Sequence, residues 1–186
     1  AASETADTTY YGMNYKDCQK DEAADFRVKK YQLDFSVGLN LTGSAKVYVD
    51  RSELKSYRFT LYHGYKVKQV TDQTGAALDF RREHDYVTVT RGGAAVEYLC
   101  LEYTGKSPKY YSSYAGVCLP ANFAYYPIPG YRELFSDNFY GFIDCSLPYD
   151  TAFDVRCSGR KQMYCNLAAR GNNHFAGNAR SITLLS

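Results

Sequence analysis

From position 31 the chain alternates apolar and polar residues with a period of two: Tyr31, Leu33, Phe35 and Val37 are separated by Gln32, Asp34 and Ser36. This is the repeat of a strand with one buried face, because successive side chains of a pleated strand point to opposite sides. The alternation continues through Leu39 and Leu41, breaks at Thr42-Gly43-Ser44 and resumes at Ala45, Val47 and Val49, which predicts a hairpin-like connection at the break. Further strands are predicted at Tyr57 to Leu61, Tyr65 to Val70, Ala77 to Arg82, Tyr86 to Thr90 and Val96 to Tyr103. Asp72-Gln73-Thr74-Gly75, Glu83-His84-Asp85 and Arg91-Gly92-Gly93 supply the turn chemistry between them. Short strands with reversals every eight to twelve residues are the pattern of a β-sandwich or barrel, and no connection is long enough for a crossover helix.

After Thr104-Gly105 the order weakens. Pro108, Pro120, Pro127, Pro129 and Pro148 interrupt a tyrosine-rich stretch, so long loops are expected there. Alternation returns at Phe153, Val155 and Cys157 and again at Met163, Cys165 and Leu167, which predicts a late hairpin turning at Ser158-Gly159. A last strand is predicted over Ser181 to Leu185. Residues 1–28 show no sustained period and are expected to be a polar linker or arm with a short helix around Asp17 to Ala24. Residues 29–186 form the β domain. The expected fold class is therefore all-β, an antiparallel sandwich with long Tyr/Pro-rich loops.

Composition sharpens this picture in one respect. There are 20 Tyr and 10 Phe but no Trp among 186 residues, and tyrosine suits a half-buried strand face because its ring packs while its hydroxyl reaches a polar partner. Net charge is +2 with both signs interspersed, so no nucleic-acid groove is expected. Lys66, Lys68, Arg81, Arg82 and Arg91 are the densest basic group and fit a solvated outer face. No apolar run reaches the roughly 20 residues of a membrane-spanning helix, so direct membrane insertion of this chain is not expected. The start Ala1-Ala2-Ser3 suggests that a leader, an anchor or another domain precedes it in a parent protein.

Catalytic signatures are missing from the sequence: there is no HExxH, no G-x-S-x-G, no phosphate-cradling glycine loop and no C-x-x-C. His63, His84 and His174 stand singly in turn-like contexts, which suits surface or capping roles better than metal ligation. Glu83-His84-Asp85 resembles an acid/base cluster but sits where a hairpin needs its turn. No cofactor is expected. Of the six cysteines, Cys157 and Cys165 are the best-placed pair for a disulfide, since the late hairpin would set them on facing strands. Buried free thiols remain the alternative for all six.

The order of these strands and turns resembles the N-terminal β-sandwich domain of M1-family metallopeptidases. The matching segments are Tyr31 to Val37, Tyr57 to Leu61, Gln73-Thr74-Gly75, Tyr98 to Gly105, Gly116 to Leu119 and Tyr125-Tyr126-Pro127. The resemblance implies a non-catalytic domain that supports a neighbouring zinc-bearing domain of the same chain and helps shape a peptide-binding cleft. Tyr126-Pro127 lacks the Cys and acidic residue that often follow in soluble aminopeptidases, and this resembles the branch fused to ABC-type permease segments. An extracytoplasmic, membrane-tethered setting is implied. The aromatic-Pro segment lies near the inter-domain face in that family, which implies that Tyr114, Phe123, Tyr125, Tyr126 and Tyr131 form an exposed docking surface. The competing function is a Tyr-rich sandwich that binds carbohydrate or a cell-surface polymer by ring stacking, which requires the rings to stand in an exposed row.

Overall fold

The computed structural model describes residues 2–136 and 141–186. The elements in chain order are α1 (Ala2–Met13), β1 (Val28–Val37), β2 (Asn40–Val49), β3 (Ser56–Thr60), β4 (Tyr65–Asp72), β5 (Phe80–Glu83), β6 (Tyr86–Thr90) and β7 (Tyr98–Lys106). There follow β8 (Cys118–Leu119), β9 (Ile128–Pro129), β10 (Phe135–Ser136), β11 (Gly141–Phe142), β12 (Thr151–Ser158), β13 (Tyr164–Cys165), β14 (Ala168–Gly171), β15 (His174–Ala179) and β16 (Leu184–Leu185). A seven-stranded sheet runs β14-β15-β12-β1-β2-β7-β4, opposed by a four-stranded sheet β5-β6-β3-β9, a three-stranded sheet β13-β16-β8 and the pair β10-β11.

The alternation that predicts β1 is also what buries it: Val28, Tyr31, Leu33 and Phe35 face inward, and Lys29, Asp34 and Ser36 face out. Two successive outward residues, Lys29 and Lys30, mark an irregularity in the pairing with β2, where one extra residue shifts the pleat by a position. Among the described residues all the strand pairs but one are antiparallel. The exception is β1 with β12, in parallel register from Lys30↔Ala152 to Ser36↔Ser158, which stacks the Tyr31 and Phe153 rings at 5.0 Å. Parallel pairing requires a long crossover. Here the intervening chain supplies β2 to β11, so a pairing across more than a hundred residues closes the large sheet.

The hairpin expected at Thr42-Gly43-Ser44 turns instead at Gly38-Leu39, and those three residues lie inside β2. Gly43 is there for packing rather than for turning, since a Cβ at this position would lie 2.6 Å from the Tyr103 ring on β7. The Asp72 to Gly75 turn forms as expected. Asp72 Oδ1 accepts the Thr74 backbone N–H at 2.9 Å, and Gly75 takes φ 82°. Glu83 pairs with Tyr86 across His84-Asp85, with His84 at φ 50° in the left-handed region.

Three expectations are corrected. The helix is α1, over residues 2–13, and residues 17–24 are not helical. The arm is not loosely attached either: Asp7, Tyr11 and Cys18 are buried on the β domain because they cap an otherwise open aromatic edge. The late hairpin does not form. Cys157 in β12 lies opposite Phe35 of the large sheet, whereas Cys165 in β13 lies opposite Leu184 of the three-stranded sheet. The two belong to different sheets and both are free thiols, as are Cys18, Cys100, Cys118 and Cys145.

Candidate functional site

The proposed docking residues divide sharply. Phe123, Tyr125, Tyr126 and Tyr131 are all buried, and Tyr114 alone is exposed, at 86%. The Pro-rich segment folds inward to form the middle of the core, because each ring there finds ring neighbours and most hydroxyls find a partner. Phe123 packs on Tyr62 at 5.0 Å and on Phe142 at 5.1 Å. The Tyr125 hydroxyl donates to the Ile182 carbonyl at 2.6 Å, and the Tyr125 carbonyl accepts from the Tyr103 hydroxyl at 2.7 Å. Tyr126 meets Tyr31 and Phe153 edge-on, while Tyr31 donates to the Pro127 carbonyl at 2.6 Å. Tyr131 packs against Tyr86 and hydrogen-bonds Thr88 through its hydroxyl. The expectation of an uncovered aromatic cluster is overturned for these four, and loop sequence was a poor guide to loop position.

Other apolar groups are exposed instead. On the three-stranded sheet Leu185 of β16 stands between Tyr164 of β13 and Cys118 of β8, and all three face outward. Their neighbours Cys165, Leu184 and Leu119 point the other way, and Leu184 and Leu119 are buried. Near this sheet a hollow of about 360 Å³ opens between the β1–β2 turn, residues 113–117 and residues 158–163. Among the described residues the exposed tyrosines Tyr15, Tyr110, Tyr114 and Tyr164 lie on different segments and form no row along one strand face, the arrangement that stacking on a polymer requires.

The densest polar chemistry lies beneath α1. Asp7 accepts the Tyr62 hydroxyl at 2.9 Å and the Tyr110 hydroxyl at 3.0 Å, and its Oδ1 is 3.9 Å from His63 Nε2. His63 reaches the other way to Asp85, whose Oδ1 accepts its backbone N–H at 2.8 Å and its Nδ1 at 3.0 Å. The imidazole is clamped face to face under Tyr10 at 3.6 Å, and the Tyr10 hydroxyl sits 2.7 Å from His84 Nδ1. Burial pushes the Asp7 carboxyl up, outweighing the hydroxyls and His63 that favour its charge. Among the described residues Arg82 Nη1 is buried without a hydrogen-bond partner, while burial first and then the neighbouring Asp85 carboxylate push the buried Tyr11 hydroxyl up. The single histidines His63 and His84 suit surface or capping roles by their local sequence, and Glu83-His84-Asp85 suits a turn. Only the folding of α1 over this edge brings them to Asp7, and nothing in the local pattern signals that contact. The network is closed to solvent at Asp7 and Asp85, and its contacts fasten α1 to the β domain.

His174 lies apart, with Nε2 2.9 Å from Asp154 Oδ1 on the outer face of the large sheet. Among the described residues no group of three His, Cys, Asp or Glu could hold a metal ion, and no helix is long and apolar enough to cross a membrane.

Comparison with known proteins finds a match in fold alone. Neither a scan against protein-family profiles nor a search of curated proteins returns a match. Among solved structures, an M1 zinc metallopeptidase from Deinococcus radiodurans is similar over 91% of this chain and 44% of its own, with a TM-score of 0.54 and 15% identity. Leukotriene A4 hydrolase from Saccharomyces cerevisiae is similar over 93% of this chain and 29% of its own, with a TM-score of 0.53 and 14% identity. A complex of the yeast hydrolase with bestatin gives a TM-score of 0.56 at 15% identity. The chain thus spans less than half the length of the structures it matches. It has the fold of an M1 peptidase N-terminal β-sandwich domain.

Proposed function

We propose that this chain is a supporting domain of a larger M1-peptidase-like protein, with no catalysis of its own, whose β surface holds a neighbouring domain and helps shape a peptide-binding cleft. The observation that carries this reading is coverage: nine-tenths of the chain superimposes on less than half of a zinc metallopeptidase. The sequence contains no HExxH with which to bind the zinc itself. Exposure favours the three-stranded sheet, with Tyr164, Leu185 and Cys118, over the Pro-rich segment as the face toward that neighbour. An extracytoplasmic setting, with the parent tethered to a membrane through permease-like segments, belongs to the same proposal and rests on the departures around Tyr126-Pro127.

The test compares the 186-residue chain with its parent polypeptide. The isolated chain is expected to hold no stoichiometric zinc and to cleave no aminoacyl substrate, while Tyr164→Ser with Leu185→Ser weakens its association with the rest of the parent supplied in trans. Zinc or hydrolysis in the isolated chain would overturn the reading. Protease shaving of intact cells checks the location separately, since a cytoplasmic domain stays protected.

A further inference from the structure

Residues 155–186 contain Arg156, Arg160, Lys161, Arg170 and Arg180 and no Asp or Glu. Arg156 and Arg180 each have a carboxylate at 3.9 Å, Asp154 and Asp150 respectively. Arg160 and Lys161, both exposed, have none within 4.0 Å among the described residues. Among the described residues the Lys161 ammonium has its one polar contact with the Tyr114 carbonyl, at 2.9 Å. These two cations sit on the rim of the 360 Å³ hollow, whose floor is apolar: Val117 and Met163 are buried there, while Leu39 and Tyr114 stand exposed at its edge. An apolar hollow of several hundred Å³ with a few convergent charges is the usual form of a site that takes an apolar group and orients it by its polar end. Two cations without a carboxylate partner, beside one exposed ring and the exposed Leu39, favour an occupant that brings carboxylates, because charges complementary to the rim orient and select the partner.

We propose that this hollow binds an acidic peptide segment, a large apolar side chain entering between Leu39 and Tyr114 while flanking carboxylates meet Arg160 and Lys161. The site is open at the surface, so it requires no rearrangement of the core. Tyr114 is the anchor, since a rigid exposed ring gives contact area at little cost in side-chain freedom, and Arg160 sets the sign of the partner. The inference stands on this surface alone and does not require the parent to be peptidase-like.

The probe is a fluorescein-labelled hexapeptide with a central Leu-Phe pair and two glutamates on either side, titrated with the 186-residue chain and read by anisotropy. Saturable binding that weakens with added salt is expected. Tyr114→Ser and Arg160→Glu should each reduce affinity by about tenfold, as loss of an anchor or reversal of a partner charge does. Neither side chain is buried, and unchanged thermal unfolding of both variants checks that the fold is intact. A peptide with lysines for the glutamates, and one with serines for the Leu-Phe pair, should bind no more than a tenth as well. The proposal is overturned if the glutamate peptide does not saturate, if the lysine peptide binds equally, or if neither variant changes affinity. It is also overturned if sedimentation shows that the face is occupied by a second copy of the chain and that the same variants abolish that association.

Discussion

Tyr125 has its ring in the core and its hydroxyl on the Ile182 carbonyl, so two kinds of energy meet in one side chain. Removing the hydroxyl alone with Tyr125→Phe leaves a buried carbonyl unpaired, and a loss of about 1–3 kcal/mol is expected. Tyr125→Ala also opens a cavity, and the loss should rise to about 3–5 kcal/mol. Urea unfolding of the two variants separates the contributions, and equal losses would contradict this partition. Cysteine reactivity reports burial in the same way. Burial pushes the Cys18 and Cys145 thiols up to about 12, whereas Cys118 is exposed. Since the thiolate is the reacting form, native-state labelling with a thiol reagent should modify Cys118 first and leave Cys18 and Cys145 until unfolding. Peptide mapping of a brief labelling reaction reads the order directly.

At the scale of elements, α1 is attached through Asp7, which gives it a pH dependence of definite sign. Because burial raises the Asp7 carboxyl above its ordinary 3.8, the folded state binds that proton more tightly than the unfolded state. Stability contributed at this site is therefore highest below 3.8 and falls as pH rises through the raised value. Asp7→Asn removes the charge and keeps one of the two oxygens, which accept the Tyr62 and Tyr110 hydroxyls separately, while the amide NH2 in the other position can donate to the hydroxyl it faces. The urea midpoint of the variant relative to the parent chain should rise as pH increases above 3.8. A difference that does not change with pH would refute the raised carboxyl. The turn after β4 has the opposite sign. The Thr74 hydroxyl, then the backbone N–H groups of Thr74 and Ala76, lower the Asp72 carboxyl. Its contribution is present above 3.8 and is lost as pH falls through the depressed value. Asp72→Ala should cost about 1–2 kcal/mol at neutral pH, the worth of hydrogen bonds to a charged acceptor, with the deficit shrinking in acid. Urea midpoints at both pH values measure it.

On the scale of the whole molecule, protection follows position in the sheet. The strands β1, β2, β7, β12 and β15 are paired on both sides, and β4 and β14 are edges. Amide exchange should be slowest in the five interior strands and fastest in β14, whose residues are all exposed. Slower exchange in β14 than in β1 would refute the topology. The large sheet also shows what was readable beforehand. Strands β1 and β3 to β7 were legible because a half-buried strand records its environment in its own period, and the Asp72 and His84 turns because their backbone shapes demand particular residues, whereas Gly43 made the first half of β2 read as a turn. The Pro-rich segment recorded neither, since prolines exclude regular pairing without saying whether the chain lies inside or outside. Tyr125 and Tyr126 were buried only when Phe35, Tyr103 and Phe153 arrived from distant strands. The same holds for Cys157 and Cys165, which local spacing placed on one hairpin and strand pairing assigned to different sheets, and for Asp7, His63 and Asp85, which meet through α1. What the sequence determined by itself was local, the strands and their turns, because period and turn chemistry act over a few residues. Tertiary structure alone decided which aromatic rings became core, which sheet each cysteine joined and which apolar groups stayed at the surface, because burial depends on partners that lie far away along the chain.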